Sequence, residues 1–248
     1  MPFKSNDLER YIADHQLSAP ISQYLRAADA GLSRDVGTTG YRSVVSEFPS
    51  AKMGRSVVVE SRRGELAYAI CTEYAREVVA YYEQPPALDC ARTTKNGHCV
   101  TRLYHPDFVV LGSSGPAVVQ VKPEEKLACL IRSNPKDWRL ADGEYHDLPA
   151  EEAFGRIGLR HVVVSTANLP RIRVANLSNL LRVRAACAKE PPLSSEFVAR
   201  VRRKFSERAV LTIGDLTRRL ELVARTSLLR LIDEGVLFAS IDQQLLTD

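Results

Sequence analysis

Asp107, Gln120 and Lys122 are the residues that type and spacing best suit to chemistry. Gln120 and Lys122 lie one residue apart in the apolar run VVQVK, so on a strand both side chains leave the sheet on the same face. Asp107 heads the preceding apolar run, DFVVLG, and a turn between the runs would let the acid join the amide and the ammonium. A carboxylate is a hard oxygen ligand for a divalent cation. The Gln120 amide oxygen or the main-chain carbonyl of Val121 supplies another, and an ammonium can orient a water or offset charge on a phosphorane. The pattern reads as a site for phosphodiester hydrolysis. The same spacing also suits a strand-entry Asp after Pro106, a satisfied strand amide and a solvated strand-end Lys. His105, beside the acid, reads as a hydrogen-bonded structural histidine.

The elements that must position this set follow from periodicity and punctuation. Residues 1–40 read as an N-terminal helical arm that breaks at GLSRDVGTTG. YRSVVSEFP and RSVVVES alternate like strands, and RRGELAYAICTEYAREV places Leu66, Ala69, Ile70 and Tyr74 at helical spacing with Glu65 in the first turn. VVAYYEQPPALDCAR is a strand interrupted by Pro85 and Pro86. TTKNGH suits a hairpin turn with positive φ, and HCVTRLY returns, so these segments and the opening pair predict an antiparallel meander. PEEKLACLIRS starts a helix with Pro123 near its first position, and SNPKDWRLADGEYHD is a polar loop or short hairpin holding the single Trp. PAEEAFGRIGL is a helix closed near Gly158, HVVVST a buried strand and RVANLSNLLRVRAAC a further helix. The result is a mixed α/β sheet over residues 41–190. KEPPLSS is the linker candidate. Residues 191–248 carry three helical patterns and a terminal strand opened by Gly235, the pattern of a winged helix.

Charge and cysteine usage narrow the classes. Lys and Arg number 34 against 30 Asp and Glu, too small an excess to indicate a nucleic-acid partner alone, although from Arg156 to Arg230 the basic residues predominate. The five cysteines include no C-x-x-C pair, which fits a reducing, cytoplasmic setting with neither a disulfide framework nor a zinc site. No apolar run is long enough for a signal peptide or a membrane span.

Four motifs in order resemble a known family. GELAYAICTEY, YYEQPPAL, HPDFVV and QVKPEE are similar to the acid-headed helix, E-Q-x-P, P-D-F and Q-V-K-P motifs of TnsA, the endonuclease subunit of heteromeric transposases, within the restriction-endonuclease-like PD-(D/E)xK nucleases. The family's helical Glu keeps the spacing that Glu65 has before Glu83, which favours Glu65 over Glu60, Glu73 or Glu77. The likeness extends from about Glu47 to Cys187, and the C-terminal module is similar in placement to the family's second domain. It implies a restriction-endonuclease-like mixed β-sheet flanked by helices. It also implies that Glu65 and Asp107 bind Mg²⁺ (Mn²⁺ substituting), with Val121 adding its carbonyl, that Gln120 takes the usual second-acid position and that Lys122 completes the site. Glu65 in a first turn also serves the helix dipole without catalysis, and Glu83 and Gln84 read as stabilisers of the loop before Pro85. The implied partners are transposon-end DNA, a DDE-type transposase and an AAA+ ATPase regulator. Residues 191–248 fit a protein-binding role, because their arginines alternate with acids and LTIGDLTRRLELVARTSLLRLIDEG offers no Asn or Gln to read adenine. Two other readings stay open: a stand-alone restriction or repair nuclease, and a winged-helix regulator with an inactive nuclease-like domain.

Overall fold

A computed structural model describes residues 2–31, 46–59, 64–94, 96–220 and 225–246. Part of the expected break at GLSRDVGTTG, the start of YRSVVSEFP, the end of RSVVVES with Glu60, Lys95 of the hairpin turn and residues 221–224 lie outside the described residues. The chain forms two compact units, residues 1–169 and 170–248.

In the first unit the N-terminal residues are helical, as α1 (Ser5–Asp14) and α2 (Ala19–Asp29). They are built into the unit and do not form a separate arm: the Tyr11 hydroxyl donates to the Gly112 carbonyl at 2.7 Å, and the Tyr24 hydroxyl to that of Pro86 at 2.8 Å. An antiparallel hairpin, β1 (Ser46–Ser50) and β2 (Arg55–Val59), precedes α3 (Glu65–Tyr74). The next strands are β3 (Val78–Glu83), β4 (Leu88–Thr93), β5 (Cys99–Tyr104), β6 (Phe108–Gly112) and β7 (Gly115–Lys122).

The expected continuous meander does not form. β3 pairs with β6 and β6 with β7, whereas among the described residues β4 and β5 pair only with each other and form a separate two-stranded sheet. The two prolines explain this, since a residue without an N–H cannot continue a ladder and the chain must leave the sheet after Glu83. Beyond β7, helix α4 (Glu124–Ser133), strands β8 (Trp138–Ala141) and β9 (Glu144–Asp147) and helix α5 (Leu148–Gly155) lead to β10 (Arg160–Ser165). β10 lies parallel to β7, as a connection carrying a helix allows, and the six-stranded order is β3-β6-β7-β10-β9-β8. The chain therefore has a mixed sheet flanked by helices.

β6 and β7 are buried along most of their length, with Phe108, Val109, Leu111 and Val118 fully inside. The tryptophan segment is the hairpin β8–β9, turning at Asp142 and Gly143 with φ of 51° and 79°, the positive pair a two-residue hairpin loop needs. Trp138 packs with Leu127 of α4 and Val163 of β10, so this hairpin closes the core beneath α4.

The second unit holds α6 (Arg171–Ala186), α7 (Ser195–Glu207), α8 (Ile213–Arg219) and α9 (Arg225–Asp233), the last three packed around Val201, Leu216, Leu220, Leu228 and Leu231. Its start lies at Pro170, upstream of the Pro-rich KEPPLSS segment, which merely connects α6 to α7. α6 belongs with the later helices because Arg184 makes a two-point ion pair with Asp233 of α9 at 2.8 and 2.9 Å. The Asn176 amide also holds Ile241, Gln244 and Leu246 through three main-chain hydrogen bonds. The expected wing strand is absent: among the described residues no strand follows α9. Gly235, at φ 73°, ends that helix as a left-handed cap, with the Val236 N–H returning to the Leu231 carbonyl.

Candidate active site

The β6–β7 hairpin sets Asp107 beside Gln120. Phe108 faces Val119 across the antiparallel pair, so the residue before one meets the residue after the other. The Asp107 N–H donates to the Val119 carbonyl at 3.1 Å, which extends the ladder by one residue and fixes the backbone of the acid. One carboxylate oxygen of Asp107 accepts both the Gln120 side-chain amide at 2.5 Å and the Val121 main-chain N–H at 2.7 Å. Asp107 and Gln120 are buried, and a buried carboxylate needs such donors to remain in place.

Lys122 leaves β7 on the same face, half-buried, and its ammonium makes no hydrogen bond among the described residues. Burial pulls its pKa below the ordinary lysine value, opposed by the negative charges of Asp107 and Asp147 and aided by Arg92 and Lys126. It is thus a partly buried cation within electrostatic reach of Asp107 and Asp147.

Glu65 is the first residue of α3, half-buried. The helix is secured at its far end: buried Glu73 accepts the Ser50 hydroxyl at 2.5 Å and the Tyr81 hydroxyl at 3.0 Å, and the Lys52 ammonium caps the carbonyls of Thr72, Ala75 and Val78. Nearer its start, Tyr68, one turn beyond Glu65, packs its ring 5.3 Å from that of Phe108, the residue following Asp107. Asp107, Gln120, Val121 and Lys122 are therefore brought together by one hairpin, and Glu65 opens the helix packed against the start of β6.

Glu83 and Gln84 have structural roles, and Gln84 bears on the site. Glu83 takes a two-point ion pair from Arg55 at 2.5 and 2.6 Å. Gln84 stands at φ 47°, a left-handed conformation that costs a non-glycine residue about 1 kcal/mol or more. It directs its N–H onto the Asp107 carbonyl at 2.9 Å. No sequence signal marks it, because a residue before proline is expected to be extended. His105 differs from the sequence reading, since its Nδ1 is buried and makes no hydrogen bond among the described residues.

The sequence also gives no warning of the cleft into which Lys122 opens. A cavity of about 540 Å³ lies between the β4–β5 hairpin and α4, lined by Arg92, Arg102, Tyr104, Lys122, Lys126 and Trp138 among others. The hairpin is clamped at both ends: near its turn Arg92 holds the fully buried Asp147, the N-cap of α5, at 2.5 and 2.8 Å and the Thr93 N–H meets the Asp137 carboxylate, and at its base the Tyr104 hydroxyl meets His161 Nε2 at 2.9 Å.

The Asp107 carboxylate is an oxygen ligand, which suits a small hard cation. Among the described residues no three His, Cys, Asp or Glu side chains gather as a metal cluster. Mg²⁺ is compatible with that, because it keeps several waters and uses only one or two carboxylates. The Gln120 amide now turns its NH₂ to Asp107, so offering its oxygen to a cation on that carboxylate requires the amide to rotate. Among the described residues no helix is long and apolar enough to cross a membrane. No protein-family model matches the chain, and no curated protein matches it.

Proposed function

We propose that this chain is a metal-dependent DNA endonuclease of the TnsA kind, hydrolysing at each transposon end the strand that a partner DDE-type transposase leaves intact. The observation that carries the reading is the contact of Asp107 with Gln120 and Val121 on adjacent strands, with Lys122 on the same face of β7. The mixed sheet flanked by helices and the cationic cleft at Lys122 support it. Mg²⁺ held by Asp107 and Glu65, with the Gln120 amide oxygen and the Val121 carbonyl, would polarise the phosphoryl group and acidify a bound water. Asp107 is kept in one position by its own backbone bonds and two donors. With the Gln120 amide rotated to the metal, the Val121 N–H still orients that carboxylate, and Lys122 stabilises negative charge developing on the phosphorus oxygens. Water is the nucleophile and a 5′-phosphate the product. The C-terminal unit, with its mixed charges, serves the protein partners, including an AAA+ ATPase regulator. The absence of a wing strand among the described residues weighs against the regulator alternative.

The test is strand cleavage of transposon-end DNA by the chain reconstituted with its gene-neighbour proteins. Asp107→Asn should abolish cleavage and leave the urea midpoint and partner assembly unchanged. EDTA should mimic it in the wild type, with activity restored by Mg²⁺ or Mn²⁺. Equal cleavage by variant and wild type would overturn the assignment.

A further inference from the structure

The β4–β5 hairpin is a poor fit to a purely structural role. It adds no strand to the six-stranded sheet, and most of β5 is exposed, including Leu103 at 60%. Its cost in ordered backbone is offset by the contacts of Arg92 and Thr93 near the turn and of Tyr104 at the base, which hold the hairpin over the opening at Lys122. The cleft so formed has a marked charge imbalance. Among the described residues Arg92, Arg102, Lys122 and Lys126 line it, against Asp137 alone, whose carboxylate is already taken by the Thr93 N–H. Arg92 is paired with Asp147, but Arg102 and Lys126 are exposed and meet no carboxylate among the described residues. Two unpaired cations flank a candidate hydrolytic lysine, and the chemistry that satisfies all three is a run of phosphates. The volume is that of a small-ligand pocket, enough for a short length of strand.

We infer that this cleft seats the sugar-phosphate backbone of the DNA strand to be cut, with Arg102 of β5 and Lys126 of α4 contacting phosphates next to the scissile one. The inference rests on the nuclease reading. It adds which surface holds the substrate, and it makes the hairpin the clamp. Phosphate contacts position a strand without reading its sequence, so the cleft contributes affinity and register and leaves end recognition to other parts of the assembly.

The experiment is fluorescence anisotropy of the full-length chain with a labelled DNA carrying a single-stranded stretch, in EDTA so that no cutting occurs, titrated from about 50 to 200 mM salt. Asp107→Asn and an Arg10→Ala control on α1, exposed and outside the cleft, are measured alongside. Arg102→Ala and Lys126→Ala should each weaken binding about tenfold at low salt, the lower end for hydrogen bonds to charged groups. The double variant should flatten the log K against log salt slope by about 1.4, two contacts at roughly 0.7 each for a single strand. Both side chains are exposed, so the urea midpoint should not move, and Arg102→Lys should regain much of the affinity. A double variant with wild-type affinity and slope overturns the inference, as does a wild-type chain that binds no DNA at the lowest salt or prefers an RNA of the same sequence. Failure of the nuclease reading is seen separately, as persistent cleavage by Asp107→Asn.

Discussion

Replacing Arg92 by Met tests whether the clamp near the turn of the β4–β5 hairpin has the weight its geometry implies. Arg92 donates two hydrogen bonds to Asp147, which has no exposed surface, and its guanidinium lies 5.2 Å from the Tyr104 ring centre. Met keeps most of the apolar stem but strands a buried carboxylate, a loss of about 3–5 kcal/mol. The lost cation–π contact adds about 0.5–1 kcal/mol. Against a typical domain stability of about 5–15 kcal/mol, the variant should be near the edge of folding. Asp147→Asn on the same background removes the stranded charge and keeps a good N-cap for α5. The double variant should therefore recover most of the loss, with a coupling of about 3 kcal/mol. Urea titration followed by emission of Trp138 is the assay, since the chain has one tryptophan and its ring lies 6.0 Å from Arg92. A pH arm adds a sign. Burial already raises the Asp147 carboxyl above its ordinary pKa, with Arg92 opposing, and loss of Arg92 raises it further. A carboxyl raised on folding contributes stability at low pH that is lost as pH rises, so the gap between variant and wild type should narrow from about pH 7 to pH 5. A loss below about 1 kcal/mol, or a gap that widens on acidification, would refute the reasoning.

Three further outcomes are expected. Glu65→Gln should remove cleavage while shifting stability by less than about 1 kcal/mol, the range of a helix-dipole interaction, and a variant that cuts normally would leave Glu65 with the dipole role alone. Burial, together with the positive charges of Arg92 and Lys122, lowers the His161 pKa from 6.5 to about 3, so below pH 6.5 the unfolded chain takes up a proton that the folded one refuses. Stability should fall by about 1 kcal/mol per pH unit from this group between those values, and His161→Gln, which still accepts from Tyr104, should flatten that part of the curve in urea titrations. A chain ended after Leu169 should elute as a folded monomer with native Trp138 emission. One ended after Glu190 should self-associate on gel filtration, because it keeps α6 but lacks α9 and the tail that Asn176 holds.

What the sequence made legible was local. Asp107, Gln120 and Lys122 meet through a hairpin of adjacent strands with a short turn, so alternation alone predicts their common face. The sheet was misread where pairing skips along the chain: β3 joins β6 across the inserted hairpin, and no property of β4 or β5 states which strand they will refuse. Gly235 shows the limit of turn signals, since a positive φ serves a helix cap as well as a strand entry, and the two differ only in whether the next residues find a strand to pair with. The prolines of KEPPLSS mark the end of a helix. Whether a domain also ends there depends on Arg184 finding Asp233, a contact made far along the chain. The Asp142-Gly143 turn was readable in principle, being a hairpin dipeptide between two short alternating runs.

The isolation of the β4–β5 hairpin separates two kinds of failure on heating. β7, which carries Gln120 and Lys122, is paired on both sides, with β6 and with β10, whereas β4 and β5 protect only each other. Backbone amides of the hairpin should exchange with solvent through small openings, while those of β7 should wait for unfolding of the whole unit. As temperature rises, the protein should lose its hold on substrate before it loses the arrangement that cuts, so KM should climb over a range of temperature in which turnover at saturating DNA is still intact.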